Sequence, residues 1–278
     1  MLKIKIILKA QIILLFFFVI NTNAESLKKD TITYKGLYIG FNIGSYFANR
    51  YTANYYNGLD SSGSVSYKVL YIFQYQQNYD RIKQVLGGYD FQIDEMPSNM
   101  HFNPSAYIGI NAKYNFTNKD AFFIQANYSK VKTNDIFTLK LLQPQYSSPE
   151  ANLYKANIWG VEDRINFDLG YGHSFHLFNN VYFGIETGIN INSVRVKESK
   201  IQIENLQFSI KDPYYDYYNI IEGGINIGGL ITGNLQFWLN QTLSLEPSFT
   251  CYYSKINLGD NKKYMPQLAI FTRLIYKN

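Results

Sequence analysis

The chain has 278 residues, of which 46% are hydrophobic and 17% are aromatic, and its formal net charge is +5. This modest charge argues against nucleic-acid binding, and a single cysteine, Cys251, excludes an internal disulfide. The 26 tyrosines and 20 phenylalanines favour strands over helices. Because no internal disulfide can form, a large core or a membrane must stabilise the chain.

The first 24 residues have the pattern of a secretory signal peptide. Three lysines precede an apolar run over 12–20, and small residues ending at Ala24 offer a cleavage site. The apolar run is far shorter than the roughly 20 residues that a helix needs to cross a bilayer. We therefore expect export with cleavage after residue 24, which leaves a mature chain with a net charge of +2. A short periplasmic segment over 25–35 would precede the folded part.

The first predicted strand has two unlike faces. Residues 37–47 alternate strictly, with Leu37, Ile39 and Phe41 on one side and mainly Gly, Asn and Tyr on the other. A soluble sandwich would bury the apolar side, whereas a membrane barrel would turn that side toward lipid. The rest of the chain distinguishes these two interpretations.

Seven further segments alternate in the same way. Connections of about four residues follow every second strand, and long connections lie near 48–103, 132–159, 196–218 and 256–263. Outer-membrane barrels show this asymmetry, because short periplasmic turns oppose long external loops. The sequence therefore predicts an all-β fold over 36–278: a closed, antiparallel, up-and-down transmembrane β-barrel of eight strands.

One segment leaves the strand count open. Residues 64–76 also alternate, so a barrel of ten strands is the alternative. We assign this segment to the first external loop. Residues 78–86, which two glycines follow, predict a short helix in the same loop.

Charged residues fall on the polar side of the predicted strands, which would face the barrel interior. They are Lys113, Glu162, Arg164, Asp168, Glu186, Glu222, Glu246 and Arg273. Charges in a narrow interior must be paired or hydrated, and side chains fill the interior of an eight-stranded barrel. We expect a structural polar network there, and a path for protons or ions is the less favoured alternative.

Patterns for catalysis or metal binding are weak. The segment HSFH, which contains His173 and His176, superficially resembles the His and Ser of outer-membrane lipid hydrolases. Strand parity places His173 on the lipid face and Ser174 inside, so the two cannot act as base and nucleophile. The sequence predicts no enzyme activity, no cofactor and no metal site.

Tyrosine-rich stretches in the first and third external loops are candidates for a binding surface. Tyr with Asn, Asp and Ser offers rigid aromatic area together with adaptable hydrogen bonds. The candidate contact residues are Tyr51, Tyr55, Tyr56, Tyr214, Tyr215, Tyr217 and Tyr218. The expected partner is a surface protein or a glycan.

Several segments resemble small outer-membrane β-barrel proteins of the Bacteroidota, which include PorT-like chains, and the membrane domains of OmpA and OmpX. The segments of this chain that carry the resemblance are GLYIGFNIG, the hairpin KYNFTNKDAFFIQANYSKVKT, the hairpin LNQTLSLEPSF, and a last strand that ends in Tyr276. The resemblance implies residence in the cell outer membrane, in contact with its lipid. We expect a monomer with a structural or surface-binding role through its external loops. The alternatives are a PorT-like accessory component of protein secretion across the envelope and a small channel for ions or solutes.

Overall fold

The computed structural model describes residues 35–59, 67–142, 152–178, 180–211, 221–259 and 263–277. The proposed signal peptide and nearly all of the 25–35 segment lie outside these ranges, so both stay predictions. Within the described ranges, no helix is both long and apolar enough to cross a bilayer.

Strands make up most of the described chain, and the described helices lie in the connection after the first strand. The strands are β1 (Gly36–Phe47), β2 (Phe91–Glu95), β3 (Ser105–Asn115), β4 (Asp120–Leu141), β5 (Leu153–Phe178), β6 (Val181–Ile203), β7 (Leu206–Ser209), β8 (Gly223–Trp238), β9 (Leu243–Lys255) and β10 (Tyr264–Lys277). The helices are a 3-10 helix (Arg50–Tyr56), α1 (Tyr67–Gln74) and α2 (Gln76–Val85).

Eight of the ten strands pair in a closed cycle, which we call the ring. β1 pairs with both β3 and β10, and the path runs from β3 through β4, β5, β6, β8 and β9 back to β10. The short strands β2 and β7 pair with β4 and β6. All of these pairings are antiparallel, which confirms the all-β antiparallel prediction.

Tight connections join β3 to β4, β5 to β6 and β8 to β9 at one end of the ring. In the first, the N–H groups of Phe116 and Thr117 both donate to Asp120 O. In the last, Asn240 Oδ1 accepts from the N–H groups of Thr242 and Leu243 at 2.9 and 2.7 Å. Side-chain acceptors of this kind stabilise tight turns. The long connections, including the described helices, lie at the opposite end, which we call the outer end.

The outward face of the ring is apolar. On β1, Ile39, Phe41 and Ile43 are 54%, 47% and 58% exposed, whereas the alternate residues Tyr38 and Asn42 are buried. Other ring strands also expose large apolar side chains outward, including Ile110, Phe122, Ile124, Ile165, Leu169, Ile189, Ile225, Ile227, Ile231, Phe249 and Leu274. A continuous apolar surface of this extent marks contact with lipid or with another protein rather than with water.

On β4, β5 and β6 the two faces exchange polarity toward the outer end. Along β4 the outward side is apolar up to Tyr128 and then carries Lys130, whereas the inward side changes from buried Ser129 to buried Val131. The register aligns Tyr128 with Ile165 of β5 and Ile165 with Ser193 of β6. We call this row of three residues the inversion level.

Beyond the inversion level the molecule has a core like that of a soluble protein. Inward apolar side chains of the long strands, such as Val131, Phe137 and Ile158, are almost fully buried. They belong to one cluster with Val69 of α1 and Ile82 of α2. Burial of this apolar surface holds the helices against the outer end of the sheet.

Two predicted external loops are shorter than expected. β4 continues to Leu141, β5 begins at Leu153 and β6 continues to Ile203, so strand occupies much of 132–159 and the start of 196–218. The prediction was wrong because alternation continues past the inversion level with its polarity reversed. The segment 64–76 is likewise no strand where it is described, since α1 occupies most of it and buries Val69 and Ile72, three residues apart, on one helical face.

Candidate functional site

The ring interior below the inversion level contains a buried cluster of four charged side chains. Lys113 Nζ on β3 lies 2.6 Å from Glu186 Oε1 on β6 and 3.3 Å from Glu246 Oε2 on β9. Arg273 Nη1 on β10 lies 2.9 Å from Glu186 Oε2 and 2.5 Å from Glu246 Oε1. Two cations thus match two carboxylates, which offsets part of the cost of removing each charge from water.

A second layer of hydrogen bonds surrounds Asp168 on β5. Arg273 Nη2 donates to Gln125 Oε1 at 3.0 Å, and Gln125 Nε2 donates to Asp168 Oδ2 at 2.8 Å. Asn190 Nδ2 and the Tyr252 hydroxyl also donate to Asp168, at 2.6 and 3.0 Å. These bonds connect β4, β5, β6, β9 and β10, so side chains span the interior from several sides of the ring.

A third group of side chains lies at the outer mouth of the ring and centres on Arg164. Its Nε donates to Glu162 Oε1 at 2.5 Å and its Nη1 donates to Gln267 Oε1 of β10 at 2.6 Å. Its Nη2 donates to Thr52 Oγ1 of the 3-10 helix at 3.1 Å, and Tyr56 OH of that helix donates to Glu162 Oε2 at 2.8 Å. The guanidinium group and its carboxylate partner therefore fasten the 3-10 helix to the inner wall.

The 3-10 helix follows directly from β1, and polar contacts hold both of its ends. At its start, the side chain of Asn49 accepts a hydrogen bond from Tyr51 N at 2.8 Å. Near its end, the Tyr55 hydroxyl donates to the carboxylate of Glu222, which is itself buried. The helix thus lies across the mouth with tyrosine hydroxyls directed at interior carboxylates.

Gly160 on β5 makes room for the ring of Tyr56. A Cβ atom at position 160 would lie 2.1 Å from Tyr56 Cδ1, which is well inside van der Waals contact. Tyr56 is fully buried, and burial together with the neighbouring Glu162 carboxylate raises the pKa of its hydroxyl well above its ordinary value. The hydroxyl therefore stays protonated and remains a donor to Glu162.

All eight charged residues predicted for the interior are buried. Lys113, Glu186, Glu246 and Arg273 form one group, and Asp168 joins that group through Gln125. Glu162 and Arg164 belong to the separate group at the mouth, and Glu222 contacts the 3-10 helix. The neutral partners Gln125, Asn190, Tyr252 and Gln267 were not predicted, although strand parity places each of them on an inward face.

The predicted loop contact residues that the structure describes differ in their exposure to solvent. Tyr51 is 41% exposed, and Lys263 Nζ lies 5.3 Å from its ring centre, so it remains available at the surface. Tyr56 is fully buried and Tyr55 is partly buried against Glu222, which makes both residues part of the mouth rather than of a contact surface. That part of the prediction was wrong because loop composition does not reveal which tyrosines turn inward. Tyr214, Tyr215, Tyr217 and Tyr218 lie outside the described residues.

The described contacts of the histidines form no catalytic arrangement. His173 Nδ1 lies 2.7 Å from Asp120 Oδ1 at the tight β3–β4 turn, and the Tyr171 hydroxyl donates to the same carboxylate. The backbone N–H of Ser174 donates to Lys119 O, which ties it to the same turn. These contacts stabilise a turn, and among the described residues no group of three or more His, Cys, Asp or Glu side chains could hold a metal ion.

Comparison with known proteins shows no family for this chain and finds some similar solved structures. No family model matches the chain, and no curated protein matches it. Among solved structures, Neisserial surface protein A has a TM-score of 0.44 at 10% identity, with coverage of 88% of this chain and 98% of that one. The outer membrane protein OprG from Pseudomonas aeruginosa has a TM-score of 0.43 at 11% identity, covering 90% and 100%. A third structure is that of Ail, the attachment invasion locus protein of Yersinia pestis, in complex with the heparin analogue sucrose octasulfate. It has a TM-score of 0.35 at 8% identity, with coverage of 87% of this chain and 98% of that one. Because these TM-scores are below 0.5, the likenesses do not decide whether the chain lies in a membrane. That question depends on the strand pairings and the exposed apolar face of the chain itself.

Proposed function

We propose that this chain is a β-barrel of the bacterial outer membrane with a structural or surface-binding role and no catalytic activity. Its ring would cross the bilayer with Ile, Leu, Phe and Tyr side chains against the acyl chains. The outer end would project from the cell and present the helices and the long connections. The observation that carries this proposal is a closed antiparallel ring whose exposed face is apolar and whose interior is polar.

Backbone chemistry supports a membrane environment for the ring. A sheet can lie in hydrocarbon only when its amide groups are paired, and a closed cycle of strands leaves no unpaired edge. β1 and β3 contain 12 and 11 residues, close to the roughly 9–11 that a tilted strand needs to cross a bilayer. The inversion level lies where polar outward residues replace apolar ones, as expected at the boundary between acyl chains and headgroups.

The filled interior favours a structural or surface role over a channel. The charged cluster around Arg273 and the Asp168 layer occupy the interior, and the 3-10 helix lies across the mouth. Eight strands enclose only enough room for side chains in any case. A surface role would then depend on exposed residues of the outer end, such as Tyr51, and the partner would be a surface protein or a glycan. A PorT-like role in secretion rests on the sequence resemblance alone and stays a prediction.

The orientation and the closure of the ring can be tested together in cells. A recognition sequence for a specific protease would be inserted after Gly88, an exposed turn beyond α2, or between Asn118 and Lys119 in the tight β3–β4 turn. We expect protease added to intact cells to cut the first variant and to spare the second until the envelope is broken. The extracted protein should also migrate differently on a gel before and after boiling, because a closed ring resists detergent unfolding.

Two outcomes would overturn the proposal. If protease cut only the Asn118 variant in intact cells, the ring would have the opposite orientation in the membrane. Recovery of the folded chain in the aqueous fraction, with identical migration before and after boiling, would remove the membrane assignment altogether. A stable single-channel conductance from the purified wild-type chain would instead favour the small channel.

A further inference from the structure

A cluster of charged residues, which we call the basic patch, lies on the outward side of β4, β5 and β6 just beyond the inversion level. It consists of Lys130, Lys132, Arg195, Lys197 and Lys200, together with the carboxylates Asp163 and Glu198. Each member is exposed or partly exposed. Five cations against two carboxylates give the patch a net positive charge.

The strand register arranges the basic patch in rows parallel to the inversion level. Lys130 pairs with Asp163, and Asp163 pairs with Arg195, so two cations flank one carboxylate in the first row. Lys132 follows two residues later on β4. Successive outward residues of a strand are about 7 Å apart, so the first row lies about that far from the apolar side chain of Ile165.

The carboxylate of Asp163 contacts two side chains of the protein itself. Its Oδ1 accepts a hydrogen bond from the Tyr128 hydroxyl at 2.7 Å, and its Oδ2 lies 3.3 Å from Lys197 Nζ. This carboxylate is thereby partly neutralised. Lys130 and Arg195, on either side of it, form no ion pair with any described residue, and both side chains are exposed.

A cavity of about 220 Å³ opens in the same region, with Lys130, Lys132, Asn134 and Trp159 among its lining residues. Glu198 also lines it, and its carboxylate accepts a hydrogen bond from Trp159 Nε1 at 3.1 Å. That hydrogen bond, with the charges of Lys200 and Lys130 nearby, lowers the pKa of Glu198. The volume far exceeds the roughly 30 Å³ of one water molecule, so the cavity has room for a phosphate group beside the two lysines.

The other side of the ring differs at its outer end. Outward positions there carry Ile221, Tyr253 and Tyr264, which are 54%, 59% and 48% exposed. Three described cations, Arg50, Lys255 and Lys263, also lie at that end, against five on the outward side of β4, β5 and β6. The basic patch therefore holds more of the positive charge, and its cations lie together on three paired strands.

We propose that the basic patch binds the phosphate of a phosphorylated lipid headgroup in the outer leaflet. This inference rests on the proposed membrane function and assigns a lipid site to one face of the barrel. The acyl chains would lie along the apolar face below Tyr128 and Ile165, and the phosphate would lie among Lys130, Lys132 and Arg195. Lysine and arginine form short, charge-assisted hydrogen bonds to phosphate, and the adjoining apolar face selects an anion that carries acyl chains.

Native mass spectrometry of the detergent-purified full chain tests the site directly. The protein would be mixed with equal amounts of phosphatidic acid and phosphatidylcholine, and the retained lipid would be counted by headgroup. We expect at least about a tenfold preference for phosphatidic acid, because each basic residue near a lipid surface contributes measurably to binding anionic lipid. The preference should fall as salt is added, since salt screens exposed charges.

Two triple variants separate the basic patch from net charge. K130Q/K132Q/R195Q should lose the preference, whereas K35Q/K119Q/K140Q, which removes the same charge elsewhere on the surface, should keep it. Both variants should show the same heat-modifiable migration as the wild type, which establishes that each of them folds.

Several results would overturn the inference. They are equal retention of the two lipids by the wild type, an unchanged preference in the patch variant, or loss of the preference in both variants. Displacement of bound phosphatidic acid by an equal concentration of glycerol 3-phosphate would show that the patch does not select lipid. Flotation with neutral lipid vesicles tests the membrane function separately: a chain that floats but shows no headgroup preference fails only this inference, and a chain that does not float fails the proposed function.

Discussion

Arg273 on β10 donates from Nη2 to Gln125 Oε1 on β4, 3.0 Å away, although β1 and β3 lie between these two strands in the ring. The bond therefore crosses the interior instead of following the wall. The same guanidinium also contacts Glu186 and Glu246, so one side chain joins four strands.

Replacing Arg273 with Met should destabilise the ring strongly. The substitution leaves Glu186 and Glu246 buried with Lys113 as their remaining cation, and breaking a buried ion pair costs about 3–5 kcal/mol. Urea unfolding of the protein in lipid vesicles would measure the change. As a control, R81M removes an exposed arginine of α2 and should change the free energy of unfolding by less than about 0.5 kcal/mol. Equal effects of the two variants would show that the interior cluster does not stabilise the fold.

An arginine introduced on the apolar face should lower the free energy of unfolding by an amount that depends on its level in the ring. Ile110 is 64% exposed in the middle of β3. Its replacement by Arg would place a charge among acyl chains and should lower the free energy of unfolding by about 2–4 kcal/mol. Ile136 is 50% exposed on β4 beyond the inversion level, where the same change should cost less than about 1 kcal/mol. Unfolding from vesicles gives both values. If I110R costs no more than I136R, Ile110 does not face hydrocarbon.

Substitution of Gly160 by Ala should displace the 3-10 helix from the mouth. The new methyl group would overlap the ring of Tyr56, and a shift of that ring also breaks its hydrogen bond to Glu162. We expect faster proteolysis between β1 and α1 and a loss of stability of about 1–3 kcal/mol. Gly233 on β8 is the matched control, because a Cβ there meets nothing within 4 Å. Proteolysis of G160A at the rate of G233A would contradict the close packing of Tyr56.

The contact between α2 and the segment before β2 should weaken in acid. Hydrogen bonds from Lys83 Nζ and the Tyr79 hydroxyl lower the pKa of Asp90 below its ordinary value. Because the folded-state pKa is lowered, the stabilisation is present above the unfolded pKa of about 4 and is lost as the pH falls through the folded-state value. Hydrogen exchange of α2 amides, corrected for the intrinsic effect of pH, should therefore accelerate in acid for the wild type.

The D90N variant is the control for that titration. It removes the carboxylate, so its α2 amides should already exchange faster at neutral pH and should show little further acceleration in acid. An equal response to acid in D90N and in the wild type would assign the effect to another group.

Strand parity predicts the ring below the inversion level well, and it does so for a physical reason. In residues 37–47 one face must meet hydrocarbon and the other must meet a polar interior, so side-chain type follows direction strictly. The same logic assigned eight charged residues to the interior, and all eight are buried. It could not specify which charges meet, because the contact of Arg273 with Gln125 depends on closure of the ring between residues 148 positions apart.

Beyond the inversion level the same pattern misleads. From Lys130 onward, the outward residues of β4 are mainly polar, apart from Ile136, and its inward residues are mainly apolar. This is the rule for water-soluble sheets, so the pattern expected of a membrane strand predicts a loop there. The burial of Tyr56 was also hidden, because it requires the missing side chain at Gly160, more than 100 residues away. Neither position signals the other in the sequence.

The native cysteine allows the most direct test of where the apolar face lies. Cys251 is the single cysteine of the chain and lies on β9 between the outward residues Phe249 and Tyr253, with partial exposure. A spin label at this position, in the wild-type chain reconstituted into vesicles, should collide more often with oxygen dissolved in the bilayer than with a water-soluble nickel chelate. A label that collides mainly with the nickel chelate, or with neither reagent, would show that this face meets water or a dry protein interior, and the membrane account would be wrong.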